Sequence, residues 1–188
     1  PPETRFAGRS GPMRLLVVGG SLGAAALNER VPQAIALLPR EQRPIITHQA
    51  GARHVEALRT AYAREGVQAQ CVAFIQDMGA QYAQADLVIC RGGALTVSEL
   101  AAVGIGSIIV PLPGAIADEQ SANAKFLVDA GGAIRVAQSD LTPDRLANLL
   151  QGLHRDQLLA MAIAARNVAR LDAADRVADT CIALAGRR

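Results

Sequence analysis

The chain has 188 residues, of which 51% are hydrophobic and only 3% aromatic, and it contains no tryptophan. A chain of this length can bury roughly 70% of its unfolded surface, so the composition predicts a packed α/β domain and excludes a disordered chain. The 19 basic and 17 acidic residues give a net charge of +2 and are spread along the sequence. The basic patch of a nucleic-acid-binding protein is missing, so we expect no nucleic-acid partner.

The N-terminal segment differs in composition from the rest of the chain. Residues 1–12 are rich in Pro, Gly, Arg and Ser, which is typical of an interdomain linker, so we expect the domain itself to span residues 13–188. The run Arg14–Val18 predicts a first strand, followed by a glycine-rich turn over Gly19–Gly23 and a helix that ends before Pro39. This order is the beginning of a nucleotide-binding α/β fold.

The turn after the first strand fits neither of two common nucleotide motifs. A dinucleotide fingerprint needs an acidic residue about 20 residues later, but the second predicted strand, Ile45–Gln49, ends without a carboxylate. A Walker A loop needs G-K-[ST], which is missing, so ATPase chemistry is disfavoured. The Ser21 hydroxyl and backbone N–H groups such as that of Gly20 can still meet a phosphate. An equal alternative is that Ser21 only caps the following helix.

The next elements bring a second loop to the same sheet edge. A helix is predicted over 54–65, a third strand over 71–74 and a short helix over 78–83. In the loop Phe74–Met78, a flat base can lie against Ile75 and Met78, with the backbone reading its edge. The alternative is that both side chains are ordinary core residues.

The central stretch, Leu87–Pro111, predicts a strand, a helix and a second strand. Gly92 and Gly93 follow the first of these strands, and Thr96 is predicted to start the helix. A glycine-rich loop that enters a helix N-terminus at the carboxyl end of a strand is where phosphates bind in open α/β sheets. We therefore predict a diphosphate site here. The alternative is that Thr96 and Glu99 form only a capping box.

After the fifth predicted strand, over 107–110, a loop leads to a helix that begins near residue 118 or 119 and ends at Ala130. Its first turn carries Glu119, Gln120 and Asn123, and sugar hydroxyls need such amide and carboxylate partners. The alternative is a helix start whose acidic residues match the helix dipole. A sixth strand over 133–136 and helices over 143–153, 155–168 and 173–185 complete the chain.

Six short strands that alternate with helices predict a Rossmann-like, parallel six-stranded sheet flanked by helices. The carboxyl ends of parallel strands meet at one edge. The loops over 19–23, 74–78 and 91–96 and the helix start at Gln120 should therefore line one crevice.

The cysteines and histidines argue against a disulfide framework and a metal site. Cys71, Cys90 and Cys181 are odd in number and far apart, which suits a reducing cytoplasm. The three histidines have no metal-ligand spacing, so we expect neither a metal nor another cofactor. No apolar run reaches the ~18 residues of a membrane span, and the N-terminus has no signal-peptide pattern.

Four motifs together resemble the MurG family of peptidoglycan glycosyltransferases. They are Gly-Gly-Ser-x-Gly, Phe-Ile-x-Asp-Met, Arg-x-Gly-Ala-Leu-Thr-Val-Ser-Glu and Asp-x-Gln-x-x-Asn-Ala, and the likeness extends from about residue 13 to the end. The resemblance implies the C-terminal, donor-binding half of a GT-B glycosyltransferase without its N-terminal acceptor domain. This family transfers N-acetylglucosamine, with inversion, from UDP-N-acetylglucosamine to undecaprenyl-diphosphate-linked muramyl pentapeptide, which converts lipid I to lipid II in cell-wall synthesis.

The resemblance also implies roles for single residues. Ser21 is expected to contact the diphosphate, Ile75 to read uracil through its backbone and Gln120 to hold the N-acetylglucosamine. A central run is expected to wrap the α-phosphate and ribose, with its last residue accepting from the ribose hydroxyls: Ala94, Leu95, Thr96, Val97, Ser98 and Glu99. Further candidates are Gly20, Met78, Gly93, Glu119 and Asn123. Position 119 usually carries His or Gln in the family, so the carboxylate there is a departure.

The leaving diphosphate is expected to be stabilised by the N-terminus of the central helix together with the amides of Gly20, Gly92 and Gly93. The resemblance assigns the catalytic residue, the acceptor site and the membrane contact, at the cytoplasmic face of the inner membrane, to the absent half. We therefore expect the 188 residues to bind UDP or UDP-N-acetylglucosamine without turnover. Two alternatives are a UDP-N-acetylglucosamine 2-epimerase-like domain and a non-catalytic nucleotide-sugar-binding module.

Overall fold

The computed structural model describes residues 1–20, 24–114 and 118–185. Within these ranges the strands are β1 (Arg14–Val18), β2 (Ile45–Gln49), β3 (Gln70–Val72), β4 (Leu87–Cys90), β5 (Gly106–Ile109) and β6 (Ala133–Arg135). They form one parallel sheet in the order β3-β2-β1-β4-β5-β6. The predicted Rossmann-like α/β fold is confirmed.

Helices connect the strands and cover both faces of the sheet. Their bounds are α1 (Pro2–Phe6), α2 (Ala25–Leu37), α3 (Val55–Arg64), α4 (Met78–Gln84), α5 (Ala94–Val103), α6 (Glu119–Asp129), α7 (Pro143–Gly152), α8 (Arg155–Asn167) and α9 (Ala173–Ala185). Among these described helices, none is long and apolar enough to cross a membrane.

The strand order reverses between β1 and β4, which are neighbours at the centre of the sheet. From β1 the chain continues through α2 to β2 on one side, whereas from β4 it continues through α5 to β5 on the other. The loops that leave the carboxyl ends of β1 and β4 therefore diverge and open a crevice between them. Ligands bind at such a switch point in open α/β sheets.

Side chains alternate between the two faces of each strand and build two apolar clusters. On one face Leu15 and Val17 pack with Leu27 of α2 and Leu58 of α3. On the other face lies a second cluster, of aliphatic side chains from β1, β4, α5 and α6 together with Tyr82 of α4. Burial on both faces explains why the central strands read as continuous apolar runs.

Two elements differ from their predicted bounds by two residues at one end, each for a local reason, and the other differences are of one residue. The third strand is Gln70–Val72, not 71–74, because its only neighbour, β2, ends at Gln49, which pairs with Val72. The central helix starts at Ala94, not at Thr96. Gly93 takes the extended N-cap conformation, and its carbonyl accepts the first helical hydrogen bond, from the N–H of Val97.

Residues 1–12 contain the short helix α1 and lie against the domain. Phe6 is buried in the first apolar cluster, and Arg5 donates to the carbonyls of Val103 and Gly104 at the end of α5. Arg9 contacts the Asp86 carboxylate. That this segment links the domain to a preceding one stays a prediction.

Helix α9 differs from the other long helices because none of its described side chains is buried. Val177, Ile182 and Leu184 are all more than half exposed. Its bounds, Ala173–Ala185, are those that the sequence predicted.

Candidate functional site

A cavity of about 180 Å³ opens at the carboxyl edge of the sheet, beside the switch point. It is lined by the ends of β1 and β2, the loop after β3, and α4 and α5: Val18, Gly20, Gln49, Phe74, Ile75, Met78, Tyr82, Thr96 and Glu99. The predicted residues Gly20, Ile75, Met78, Thr96 and Glu99 are thus brought together around one space. Ser21 lies outside the described residues.

The N-terminus of α5 has no side-chain cap among the residues that the structure describes. Thr96 is the third residue of the helix, and Glu99 lies in the second turn, so the capping-box alternative does not apply. The first N–H groups of a helix have no partner within the helix and carry partial positive charge. Thr96 faces the cavity, so this helix end is suited to bind an anion there.

The Glu99 carboxylate in the cavity is hydrogen-bonded through one of its two oxygens. Glu99 is exposed, and its Oε2 accepts a hydrogen bond of 3.0 Å from the Tyr82 hydroxyl. The Tyr82 side chain is buried, and this burial, followed by the nearby Glu99 charge, raises the pKa of the phenol. Tyr82 therefore remains a hydrogen-bond donor, and no residue that the structure describes occupies the second oxygen of Glu99.

Gln49 ties two loops of the cavity together and is itself only 3% exposed. Its Oε1 accepts from the N–H of Gly20 at 3.0 Å, and its Nε2 donates to the carbonyls of Gly20 and Ala73 at 2.9 and 3.1 Å. Gly20 has a φ of +80°, which favours glycine. The Gly20 N–H, which was expected to meet a phosphate, is therefore engaged by Gln49 in this structure.

A second glutamine holds the loop after β4. The Oε1 of Gln120 accepts from the N–H groups of Gly92 and Leu112 at 3.1 and 2.9 Å, and Asn123 donates to the Gly92 carbonyl at 3.0 Å. The Gly92 N–H is thus occupied as well, contrary to the prediction that it meets a diphosphate. A Cβ on Gly92 would overlap the backbone carbonyl oxygen of Gln120, so this close approach requires glycine.

The run Ala94–Glu99 is divided between two faces of α5. Thr96 and Glu99, three residues apart, face the cavity. Three others line a separate groove of about 430 Å³ against α6, whose wall also includes Asn123 and Phe126: Ala94, Val97 and Ser98. Leu95 is 80% exposed. The predicted wrapping of one ligand by all six residues thus reduces, for the side chains, to Thr96 and Glu99.

The remaining candidates differ in position and in exposure. Ile75 is buried, Met78 is partly buried and the neighbouring Phe74 is 68% exposed. Gly93 is the N-cap of α5. Glu119 is exposed in the first turn of α6 and lines neither the cavity nor the groove.

Four residues of the cavity were not predicted as site residues from the sequence: Val18, Gln49, Phe74 and Tyr82. The position of Gln49 could have indicated its role, because it ends a strand at the carboxyl edge. It was not predicted because the dinucleotide fingerprint requires a carboxylate there. Tyr82 follows Met78 by four residues on α4, which places both on one helix face. Within the described ranges, no group of three or more His, Cys, Asp or Glu residues could hold a metal ion.

Comparison with known proteins connects this geometry with a family. Residues 14–177 match the family described as "Glycosyltransferase family 28 C-terminal domain". The chain is 56% identical, over 188 residues, to the UDP-N-acetylglucosamine–N-acetylmuramyl-(pentapeptide) pyrophosphoryl-undecaprenol N-acetylglucosamine transferase of Aromatoleum aromaticum. That alignment covers 100% of this chain and 53% of the relative, so the chain spans about half the relative's length.

Two solved structures share the fold. The crystal structure of Acinetobacter baumannii MurG aligns with a TM-score of 0.89 and 44% identity, over 95% of this chain and 52% of that one. The calicheamicin glycosyltransferase CalG4 aligns with a TM-score of 0.65 and 18% identity, over 95% of this chain and 44% of that one. The second likeness concerns the fold alone.

Proposed function

The chain belongs to the family of glycosyltransferase family 28 C-terminal domains, and from that premise we propose that it is the donor-binding half of a peptidoglycan glycosyltransferase. The reaction is transfer of N-acetylglucosamine from UDP-N-acetylglucosamine to lipid-linked muramyl pentapeptide. The name of the relative that is 56% identical supports this pair of substrates. The observation that carries the proposal is that Ile75, Glu99 and the uncapped first turn of α5 meet at one cavity beside the switch point.

Each part of a uridine diphosphate has a counterpart at this crevice. The backbone of Ile75 reads the edge of uracil, with Phe74 and Met78 as apolar walls. The free oxygen of Glu99 accepts from the ribose hydroxyls. The first-turn N–H groups of α5 bind the diphosphate, to which Ser21 contributes from the turn after β1.

The leaving group needs stabilisation, because UDP gains negative charge as the acceptor hydroxyl attacks the anomeric carbon. A helix dipole contributes about 0.3–1 kcal/mol, up to ~2 when partly buried. One preorganised hydrogen-bond donor contributes about 2.7–4 kcal/mol in a transition state. Individual N–H groups therefore matter more than the dipole. Since Gln49 and Gln120 engage Gly20 and Gly92, this role falls to Gly93 and the first residues of α5.

The sugar of the donor lies at the start of α6. The carbonyl oxygen of the Gln120 side chain already accepts from two backbone N–H groups, so Gln120 binds a sugar hydroxyl through its Nε2 as a donor. Glu119 is exposed beside it and accepts from a second hydroxyl.

The part of the enzyme outside these 188 residues supplies the acceptor site, the catalytic residue and the contact with the cytoplasmic face of the inner membrane. The 188 residues by themselves bind the donor without turnover. Incubation with UDP-N-acetylglucosamine and lipid acceptor tests this proposal, and glycosylated lipid formed by the chain alone would contradict it.

The nucleotide site is tested by Glu99→Ala. Loss of charge-assisted hydrogen bonds to the ribose should weaken UDP binding by about 1–3 kcal/mol in titration calorimetry. The control is Glu41→Ala, an exposed acid in the loop before β2 at the other end of the sheet, which should leave the affinity unchanged. Equal UDP affinity of the wild-type chain and Glu99→Ala would remove Glu99 from the site.

A further inference from the structure

We propose that Tyr82 is a positioning residue, whose hydroxyl fixes the Glu99 carboxylate in the orientation that grips the ribose of the bound nucleotide. This inference rests on the proposed donor site. It adds a residue that touches no ligand and acts through Glu99.

The geometry gives Tyr82 one function in the cavity. Its side chain is 2% exposed, yet its hydroxyl reaches the cavity wall and lies 3.0 Å from Oε2 of Glu99. Glu99 itself is exposed, and an exposed glutamate samples many rotamers. In the described part of the chain, Tyr82 is its only hydrogen-bonding partner. Without this contact the carboxylate would have no fixed direction.

The chemistry of the pair suits two neighbouring hydroxyls. The phenol donates to Oε2, so it sets the plane of the carboxylate and leaves Oε1 and the remaining lone pair of Oε2 as acceptors. A ribose presents two adjacent hydroxyls, and a carboxylate can accept from both only when its plane faces them. Burial also keeps Tyr82 protonated, because it raises the pKa of the phenol.

Tyr82 also connects two parts of the proposed nucleotide site. It lies on α4, which follows the loop that carries Ile75, whereas Glu99 lies on α5. Its hydrogen bond therefore links α4 to α5, whose apolar side chains also pack together in the second cluster. This contact adds a polar link between the base-reading loop and the ribose-binding acid.

The chain offers a matched control in its other tyrosine. Tyr62 is also 2% exposed, but its hydroxyl lies 2.9 Å from Nδ1 of His48 in the apolar cluster on the opposite face of the sheet. Tyr62→Phe removes a buried phenol hydroxyl without touching the cavity. Any effect specific to Tyr82→Phe then comes from its place beside Glu99.

The test measures the affinities for UDP and for 2′,3′-dideoxy-UDP, which lacks both ribose hydroxyls, by titration calorimetry. In the wild-type chain UDP should bind at least about tenfold more tightly than the dideoxy compound, and this ratio of affinities is the quantity compared between variants. Tyr82→Phe should weaken UDP about fivefold and leave the dideoxy compound unchanged, so the ratio falls. Tyr62→Phe should keep the wild-type ratio. Glu99→Gln should abolish most of the preference for UDP over the dideoxy compound. Adding Tyr82→Phe to Glu99→Gln should not lower that preference further.

A second variant tests orientation without altering the core. Glu99→Asp keeps the charge at an exposed position, but the shorter side chain cannot reach both the phenol and the ribose, so the ratio should again fall. Retention of the wild-type ratio by Tyr82→Phe or by Glu99→Asp, or equal weakening of both ligands by Tyr82→Phe, would overturn the role of Tyr82. The proposed function fails separately, if the wild-type chain does not bind UDP or Glu99→Gln keeps the ratio.

Discussion

The two edges of the sheet are held together by different chemistry. At the amino edge, the buried Asp86 carboxylate contacts the Arg9 guanidinium. Its Oδ2 accepts from the Arg14 backbone N–H at 2.9 Å and lies 3.9 Å from a guanidinium nitrogen of Arg155. At the carboxyl edge, the neutral side chains of Gln49 and Gln120 hold the loops that carry Gly20 and Gly92, and the Arg91 guanidinium holds the loop after β5 through the carbonyls of Val110 and Pro111.

This difference separates stability from binding. The charges of Asp86, Arg9 and Arg155 lie against one another at the amino edge. Beside the cavity, the amides of Gln49 and Gln120 order the backbone without adding charge. The comparison predicts that disruption of the amino edge costs folding free energy alone, whereas disruption of the carboxyl edge also weakens nucleotide binding.

The largest effect is expected for Asp86→Ala. This change leaves Arg9 without its buried partner and removes the acceptor of the Arg14 N–H, so the free energy of unfolding should fall by about 3–5 kcal/mol in urea titrations. The control is Asp129→Ala, which breaks the exposed pair with Lys125 on α6 and should cost about 0.5 kcal/mol or less. A weaker affinity of folded Asp86→Ala for UDP would show that the amino edge also contributes to nucleotide binding, which contradicts the comparison.

A smaller and mixed effect is expected for Gln49→Ala. Gly20 and Ala73 lose their buried hydrogen-bonding partner, so we expect a loss of about 2–3 kcal/mol in unfolding free energy and a measurable loss of UDP affinity. Gln70→Ala is the matched control, because Gln70 is an exposed glutamine on the neighbouring strand β3. Unchanged UDP binding by Gln49→Ala, measured by calorimetry, would show that the ordered loops are not needed by the ligand.

The third expectation concerns His48, which precedes Gln49 but points to the opposite face of the sheet. Burial lowers the pKa of His48 to about 3 from 6.5. Below pH 6.5 the unfolded chain therefore binds a proton that the folded chain excludes. The stabilising contribution is complete above pH 6.5 and is lost as the pH falls toward 3, by up to about 1.4 kcal/mol per pH unit.

The measurement is the difference in unfolding free energy between the wild-type chain and His48→Gln at pH 7, 6 and 5. This difference should shrink as the pH falls. His154→Gln, a change at the partly exposed N-cap of α8, should show no such narrowing. A constant difference for His48→Gln would mean that His48 accepts the proton in the folded chain as well.

Much of the fold could be predicted because its signals are local. A run of apolar residues bounded by breakers is enough to locate β4, and the motif spacing was enough to place Ile75 and Glu99 at one edge of a parallel sheet. The start of α5 was predicted two residues too late because the sequence Thr-x-x-Glu, here Thr96 to Glu99, occurs both at helix N-termini and inside helices. The extended backbone of Gly93 decided between them.

The contacts that complete the site could not be predicted in this way. Gln49 meets Gly20 across 29 positions, and Tyr82 meets Glu99 across 17. Such pairs depend on how strands and helices stack, which no local pattern encodes. The same is true of the N–H groups of Gly20 and Gly92, which seemed free in the sequence and are occupied in the fold.

The close approach of Gly92 to Gln120 restricts how this pocket can be redesigned. Because any side chain at position 92 would collide with the backbone of α6, mutant libraries that aim at other nucleotide sugars should keep glycine there. Diversity is better introduced at the exposed position 119, which the proposed function places beside the donor sugar. Substitutions at position 119 can then be tested for altered donor preference without displacing helix α6.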